Sequence, residues 1–299
     1  MPAGLQDLKK RIKSIKSTRQ VTKAMEAVAA SKMRKAVDKA LVSRNYSGLG
    51  WQLINNLAQV TDESMHPLLK KRDKVHKILL IFITSDKGLC GGLNSQVIRT
   101  MYQFFTENND KDIEVIAIGK KGQHVLKKIN KKIIGAYQGM ADDPTITKIR
   151  PIASTVLWGF IDNLYDQVNI IFTDFKSALS QKPILRQLLP LQKESMENIV
   201  GPEQQQKNAV QDVTEYLFEP DPKRLLDYLL PRLMEVQIYQ AMLESTASEH
   251  SSRMLAMRNA TDSANDMIYD LTLSYNQIRQ SSITQEIAEI SAGRIALEN

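Results

Sequence analysis

Hydrophobic residues follow two different periods along this chain, and the change of period divides it into three parts. Residues 232–292 contain neither Gly nor Pro and keep a seven-residue repeat with alternating steps of three and four. Two helices with this repeat wind around each other as a left-handed supercoil, so the pattern predicts one strand of a coiled coil. The repeat comprises Leu233, Val236, Gln240, Leu243, Ala247, His250, Met254, Met257, Thr261, Ala264, Ile268, Leu271, Tyr275 and Ile278.

The N-terminal residues provide the partner helix. Residues 5–47 also contain neither Gly nor Pro, and Leu5, Leu8, Ile12 and Ile15 begin the same repeat. After Ile15 we expect the register to slip, so that the apolar stripe resumes at shifted positions. Those positions are Val21, Met25, Val28, Met33, Val37 and Leu41.

Charge favours pairing of these two helices. Residues 5–47 carry 12 Lys or Arg against 3 acids, whereas residues 232–292 carry 4 against 8. Opposite net charges attract, and both helices flank one intervening domain, so the simplest arrangement is an antiparallel two-helix coil. Towards the C-terminus the stripe moves sideways to Ile283, Ile287 and Ile290, which predicts that the last turns face another partner.

Between the helices, short apolar runs alternate with amphipathic stretches. The runs "KILLIFIT", "IEVIAIG", "KIIGAYQ" and "VNIIFTDF" are separated by predicted helices near 94–107, 120–129 and 145–165. Such alternation is typical of βαβ units, which build a mostly parallel sheet covered by helices. The predicted fold class is therefore α/β, with a central Rossmann-like domain and a long antiparallel coiled coil of the terminal helices.

The expected domain boundaries follow from these patterns. We assign residues 1–58 to the N-terminal helix, residues 74–220 to the α/β domain and residues 221–299 to the C-terminal helix. A "YLF" strand is expected at 216–218, and the Asp221-Pro222 pair is expected to start the long helix, because Pro is favoured in a first helical turn.

One loop invites a nucleotide-binding interpretation. "SDKGLCGGLN" at 85–94 follows an apolar strand, and glycine-rich loops in that context often hold phosphates. Its glycines, Gly88, Gly91 and Gly92, match neither G-x-G-x-x-G nor the P-loop spacing. We therefore interpret the loop as a tight turn from strand to helix and expect neither a bound nucleotide nor another cofactor.

Composition excludes several other classes of function. The longest aliphatic or aromatic run, "ILLIFI", is far shorter than the roughly 20 residues that cross a bilayer, and the charged N-terminus differs from a secretory signal. The single cysteine, Cys90, cannot form an internal disulfide, and the four histidines show no metal-ligand spacing. We expect no catalytic site and no metal site.

Three stretches together resemble one protein family. "TKAMEAVAASKMRKA" at 22–36, "SDKGLCGGLN" at 85–94 and "RQSSITQEIAEISAG" at 279–293 are similar to the gamma subunits of rotary ATP synthases of the bacterial type. Further similar stretches are "SEHSSRMLAMRNATD" at 248–262 and "LFEPDP" at 217–222, so that the resemblance covers essentially the whole chain.

The resemblance implies a role as the central shaft of that machine. Gamma subunits couple proton flow through a membrane rotor ring to ATP synthesis or hydrolysis in a hexamer of alpha and beta subunits, and they also contact the epsilon subunit. The implied location is peripheral, on the cytoplasmic face of the bacterial inner membrane, with catalysis in the partners.

The resemblance also implies which residues make contact. Residues expected to touch the hexamer are Lys23, Met25, Lys32, Arg34, Arg253, Arg279, Gln280 and Thr284. Residues expected in the foot, facing the ring or the epsilon subunit, are Tyr216, Phe218 and Glu219.

Two other functions stay open on the residues alone. A nucleotide-dependent enzyme could be built on the α/β domain, although the loop spacing argues against it. A basic coiled coil could bind nucleic acid through its 12 basic residues in 43. That stretch has one aromatic residue, Tyr46, to stack on bases, and an acidic partner helix already uses its charge, so we expect no nucleic-acid partner.

Overall fold

The architecture was obtained as a computed structural model, which describes residues 3–60, 66–70, 72, 74–141, 144–191 and 222–298. Two very long helices flank a five-stranded sheet: α1 spans Ala3–Val60 and α5 spans Pro222–Glu298. The chain divides into two compact units. Unit 1 is Met1–Ala29 with Arg253–Asn299, and unit 2 is Ala30–Ser252.

The strands and helices between the long helices alternate as the sequence predicts. In chain order they are β1 (Lys77–Ile83), α2 (Leu93–Glu107), β2 (Asp112–Ile118), α3 (Lys120–Lys128), β3 (Ile133–Tyr137), α4 (Ile146–Ile161), β4 (Gln167–Phe175) and β5 (Gln181–Leu189). The sheet order is β3-β2-β1-β4-β5. Strands β1 to β4 pair in parallel, whereas β5 pairs antiparallel with β4. This is the predicted Rossmann-like α/β class with one added antiparallel edge strand.

The central strand β1 is buried on both faces because apolar side chains occupy every position after Lys77. Leu79, Ile81 and Ile83 pack into one core with α4 and the start of α5. Ile78, Leu80 and Phe82 pack into a second core with α2 and α3. A continuous apolar run, rather than an alternating one, is what a strand covered by helices on both faces requires.

Both long helices extend beyond the stretches that lack Gly and Pro. α5 begins at Pro222, as predicted, and continues through Pro231. Pro231 removes one backbone hydrogen bond of the helix, but Leu230 and Leu233 on either side of it are buried in the core. Tertiary packing thus maintains the helix across a residue that would otherwise break it.

In unit 1 the two helices run antiparallel, and the predicted repeat of the C-terminal helix is confirmed. Thr22 is hydrogen-bonded to Thr261, and Arg19 donates to Asn265. Arg19 precedes Thr22 by three residues on α1, whereas Asn265 follows Thr261 by four residues on α5, so the two helices run in opposite directions. From Met254 to Tyr275 every position of the predicted repeat is buried or half-buried, whereas most positions between them are exposed. The seven-residue period therefore identified the seam correctly.

The expected register slip in the N-terminal helix is wrong. Val21, Val28 and Leu41 are each more than half exposed. The other three predicted positions, Met25, Met33 and Val37, are half-buried. A series of buried or half-buried positions follows the original repeat without interruption from Leu5 to Ser43. It comprises Leu5, Leu8, Ile12, Ile15, Arg19, Thr22, Glu26, Ala29, Met33, Ala36, Ala40 and Ser43.

The apolar pattern suggests a slip because the residues at the seam change in type after Ile15, while their spacing stays the same. Large apolar residues end at Ile15, and polar or small residues take the same positions afterwards, including Thr22, Ala29 and Ala36. Small side chains let two helix backbones approach closely, so a seam can be continuous without large hydrophobic residues. Apolar residues at neighbouring positions then point outward.

Candidate partner-contact surface

Near the middle of the unit 1 helix pair, α1 presents a mixed polar and apolar surface. Lys23 is exposed, and its Nζ lies 3.4 Å from Glu26 Oε2. Met25 is half-buried beside them, and Val28 is 57% exposed. An exposed valine and an exposed lysine five residues apart suit a partner that offers both apolar contact and negative charge.

Two of the predicted contact residues on α1 lie in unit 2. Lys32 is half-buried, whereas Arg34 is exposed. Lys23 and Met25 belong to unit 1, so the four predicted contact residues of α1 divide between the two units.

Arg253 differs from the other predicted contact residues because it is buried, with 8% of its surface exposed. It lies at the start of the α5 segment of unit 1, between the seam positions His250 and Met257. A buried arginine is held by its neighbours, so Arg253 acts on the arrangement of the helix before it can act on a partner.

The last predicted group is fully on the surface. Arg279, Gln280 and Thr284 are all exposed, and the Thr284 hydroxyl donates to the Gln280 carbonyl at 3.0 Å. In the antiparallel pair of unit 1, Thr22 faces Thr261 and Arg19 faces Asn265, so the numbers of two facing residues add up to 283 or 284. Residues beyond about 280 therefore have no described residue of α1 opposite them.

Exposed isoleucines confirm that the apolar stripe leaves the seam near this end. Ile283, Ile287 and Ile290 are 48%, 60% and 74% exposed. Their spacing of four and three places them on one face of α5. An apolar face of this kind, next to the polar group of Arg279, Gln280 and Thr284, is a candidate docking surface for another protein.

The three predicted foot residues, Tyr216, Phe218 and Glu219, lie outside the described residues, as does the expected "YLF" strand. The described chain resumes at Pro222, where α5 begins.

Side chains at the end of β1 and in the glycine-rich loop bind backbone groups of neighbouring loops. Asp86 accepts hydrogen bonds from the backbone N–H groups of Lys120 and Gly139, at 3.1 and 2.8 Å. The Thr84 hydroxyl accepts from the Gly122 N–H at 2.8 Å. Lys120 and Gly122 lie at the start of α3, and Gly139 follows β3, so these contacts join the loop after β1 to the segments that follow the next two strands.

A buried carboxylate holds the amino ends of three strands together. Glu114 on β2 accepts hydrogen bonds from Lys132 Nζ at 2.6 Å and the Tyr165 hydroxyl at 2.6 Å, and its Oε1 lies 3.1 Å from Lys77 Nζ. Burial alone would raise the pKa of Glu114, but these three donors outweigh it and lower the pKa to about 2. Burial and the neighbouring carboxylate raise the pKa of Tyr165. Lys132, Tyr165 and Lys77 all direct their donors to Glu114, so the group has a structural role in joining the strands.

A second polar tie joins the chain before β1 to the start of α5. His66 is buried; its Nδ1 accepts from the Leu68 N–H at 3.1 Å, and its Nε2 lies 3.2 Å from Asp227 Oδ1. Burial lowers the pKa of His66, and Asp227 opposes that shift in part. His66 is thus held as a neutral imidazole of one tautomer.

Sequence reasoning missed the strongest polar contacts between the long helices of unit 2. Arg44 donates to Glu244, whose side chain is buried, and Asp174 lies nearby at the end of β4. The same reasoning assigned no element to "PILRQLLPL", which contains most of β5. The available signal was the spacing of Glu244, Ser248 and Ser251, which places three polar side chains on one helix face.

Within the described ranges, no group of His, Cys, Asp and Glu side chains could hold a metal ion. None of the described helices is long and apolar enough to cross a bilayer.

The chain matches one family model almost from end to end. That family is described as ATP synthase, and the match covers residues 4–297. Among curated relatives, the ATP synthase gamma chain of Herpetosiphon aurantiacus is 41% identical over 99% of both chains. The ATP synthase gamma chain of Heliobacterium modesticaldum is 41% identical over 98% of this chain and 99% of its own length.

Solved structures agree with this match. A chain of the Tetrahymena thermophila mitochondrial ATP synthase central stalk and c-ring is 28% identical with a TM-score of 0.58, covering 80% of this chain and 99% of its own. A chain of the Euglena gracilis mitochondrial ATP synthase, from its OSCP/F1/c-ring part, has a TM-score of 0.64. It is 18% identical and covers 99% of this chain and 95% of its own, which supports the shared fold.

Proposed function

The chain belongs to the ATP synthase family, among its gamma chains, and on that premise we propose that it is the central rotor shaft of a rotary ATP synthase. In that role it couples proton flow through a membrane rotor ring to ATP synthesis or hydrolysis at beta subunits. The observation that carries the proposal is the seam of unit 1. There α1 and α5 form an antiparallel pair with a seven-residue repeat, and α5 continues beyond the pair with exposed residues.

A shaft must be stiff along its seam and available to partners on its outer surface. Leu5, Leu8 and Ile12 close the seam of unit 1 on the α1 side, and Ile268 and Leu271 do so on α5. Outside the seam, exposed side chains include Val28, Tyr269 and Leu273. Exposed apolar residues on a helix pair that already has a packed seam favour a surrounding protein partner.

The proposed partners of unit 1 are the alpha and beta subunits of a catalytic hexamer. Arg279, Gln280 and Thr284 offer hydrogen-bonding groups that can exchange partners as the helix turns. Lys23, Met25, Lys32 and Arg34 offer a basic surface for an acidic segment of a beta subunit, and Arg253 supports the same coupling from a buried position.

The remaining partners belong to the membrane side of the complex. We assign the foot residues Tyr216, Phe218 and Glu219 to contacts with the epsilon subunit and the rotor ring. The chain is a peripheral subunit of the membrane complex, and the location proposed for it is the cytoplasmic face of the bacterial inner membrane.

Coupling in such a machine needs no chemistry in the shaft. A rotating body with different surfaces at different angles binds each surrounding site differently, and these differences shift the conformations and nucleotide affinities of the sites. The glycines of the loop that most resembles a phosphate site match no nucleotide-binding spacing. We therefore assign catalysis to the partners and propose that this chain alone hydrolyses nothing.

Reconstitution tests the proposal. The purified chain should show no ATPase activity, whereas mixing it with bacterial alpha and beta subunits should give a stable complex with ATPase activity. A matched variant ending after residue 278 keeps the seam but lacks the exposed end of α5, so it should still assemble and should lose torque. Hydrolysis by the lone chain, or failure of the full chain to assemble, would contradict the proposal.

A further inference from the structure

A partly buried charge cluster, centred on the buried carboxylate of Glu244, joins both long helices to the sheet within unit 2. Arg44 on α1 donates from Nη2 and Nε to Glu244 Oε1 on α5, at 2.9 and 3.1 Å. Gln240 Nε2 donates to the same oxygen at 2.7 Å. Only 6% of the Glu244 side chain is exposed, so this carboxylate is withdrawn from water and depends on these donors.

The sheet adds a carboxylate to this cluster from β4. Asp174 on β4 places its Oδ1 4.0 Å from Arg44 Nη2. Arg186 on the adjacent strand β5 lies over the Phe172 ring, with 5.2 Å between the guanidinium carbon and the ring centre. Burial lowers the pKa of Arg186, and the charges of Glu244 and Asp174 counteract that shift. Arg44, Glu244 and Asp174 thus join α1, α5 and β4.

Further along α5, two serines fix the same helix face to the hairpin between β4 and β5. Ser248 donates from Oγ to the Thr173 carbonyl at 3.2 Å, and Ser251 donates from Oγ to the Ala178 carbonyl at 2.7 Å. Glu244, Ser248 and Ser251 are four and three residues apart, so they form one stripe. The hairpin therefore holds α5 through a row of directional contacts.

Ion pairs and hydrogen bonds add directional contacts to the apolar packing between α5 and the sheet. Apolar attraction has no preferred direction, so it defines the position of two surfaces less sharply than matched charges do. A buried ion pair resists displacement, because moving one partner leaves an uncompensated charge out of water. At the same time such a pair adds little net stability over an apolar pair of the same shape. The cluster is therefore better suited to fixing position than to stabilising the fold.

We propose that Arg44, Asp174 and Glu244 form the clamp through which turning force passes between the sheet of unit 2 and its two long helices. These are positioning residues, and the inference rests on the rotor function proposed above. A weakened clamp lets the helices yield under load, so that part of each turn is lost. When no proton gradient opposes rotation, little force acts on the clamp, so weakening it should not change the rate of ATP hydrolysis.

The test uses the complete ATP synthase in sealed vesicles, with ATP driving proton uptake. Arg44→Gln and Glu244→Gln each remove one charge of the buried pair while keeping a polar side chain. Both variants should hydrolyse ATP at the wild-type rate when an uncoupler removes the gradient. With the gradient allowed to build, both should stall at a proton gradient lower by about twofold.

Lys35→Gln is the matched control, because Lys35 is an exposed cation on the same helix. It should stall at the wild-type gradient. Arg44→Lys keeps the charge and should recover part of the loss. An unchanged stalling gradient in Arg44→Gln would overturn the clamp, whereas a wild-type complex that pumps no protons would overturn the rotor function itself.

A cross-link separates the clamp from a general loss of folding. In the Arg44→Gln background, Ala178→Cys and Ser251→Cys place two thiols on the hairpin and on α5, where a short thiol-reactive linker can join them. Joining them should restore the stalling gradient, and cleaving the linker should lower it again. A gradient that stays low after cross-linking would also overturn the clamp.

Discussion

The side-chain hydroxyl oxygens of Thr22 and Thr261 lie 2.8 Å apart across the helix pair of unit 1. Both threonines are buried, and so are Ala29, seven residues after Thr22, and Ala264, three residues after Thr261. The seam is narrow here because small and polar side chains occupy it. Its register can be tested by exchanging single residues.

Ala29→Leu should destabilise the chain by about 1–3 kcal/mol, because Ala29 is 2% exposed in the seam and a larger side chain would force the helices apart. Val28→Leu is the matched control; Val28 is 57% exposed, so the change should lie within roughly 0.5 kcal/mol. Urea unfolding of the two variants measures both values. Equal effects would indicate that the register slips after all.

Gly119→Ala should prevent stable folding, because an added Cβ would lie 2.1 Å from the Thr84 carbonyl oxygen. Gly139→Ala is the control with a similar backbone. Gly139 also has a positive φ, but nothing lies within 4 Å of its added Cβ, so only the backbone strain of about 1 kcal/mol applies. Expression yield and thermal melting distinguish the two. Similar melting temperatures for Gly119→Ala and Gly139→Ala would contradict the close approach of Gly119 to the Thr84 carbonyl.

Glu114 should make the stability of the chain depend on acid. Its pKa in the folded chain, about 2, is below its ordinary value of 4.5, so the stabilisation is present above pH 4.5 and is lost as the pH falls towards 2. The loss should be about 3 kcal/mol. Glu114→Gln should flatten that part of the curve when unfolding free energy is measured against pH. A curve that keeps its wild-type slope would assign the acid sensitivity to other carboxylates.

His66 should contribute a second, milder dependence at higher pH. Its pKa is lowered in the folded chain, so unfolding takes up a proton and stability declines as the pH falls below the ordinary value near 6.5. His66→Gln keeps a neutral polar side chain and should remove the slope just below pH 6.5. His124→Gln is the control, since His124 is exposed on α3 and its replacement should leave the curve unchanged.

Arg279→Ala should lower the ATPase activity of the assembled complex severalfold and leave the melting temperature of the isolated chain unchanged. The reason is that Arg279 is exposed and lies near the end of the helix pair. Arg258→Ala removes another exposed arginine of α5 from a position outside the predicted contact group and serves as the control. Matching activities of the two variants would argue against a specific contact at Arg279.

The sequence alone determined the elements whose signal is local. β1 was predicted from "KILLIFIT" because a strand buried on both faces needs an unbroken apolar run, and α5 was predicted to begin at Pro222 because Pro suits a first helical turn. The seven-residue repeat identified the seam face of α5 from Met254 to Tyr275 for the same reason, because spacing along one helix is a property of the chain itself, whereas the predicted seam position Ile278 is exposed.

Tertiary structure decided what depends on two distant segments meeting. The seam of α1 continues through Thr22 and Ala29 because each faces a complementary surface on α5, and nothing local marks a threonine or an alanine as buried. The pairing of Arg44 with Glu244, 200 residues apart, has no pattern in the sequence either. Burial of small and polar side chains is a property of the partner surface, and folding alone brings that surface into place.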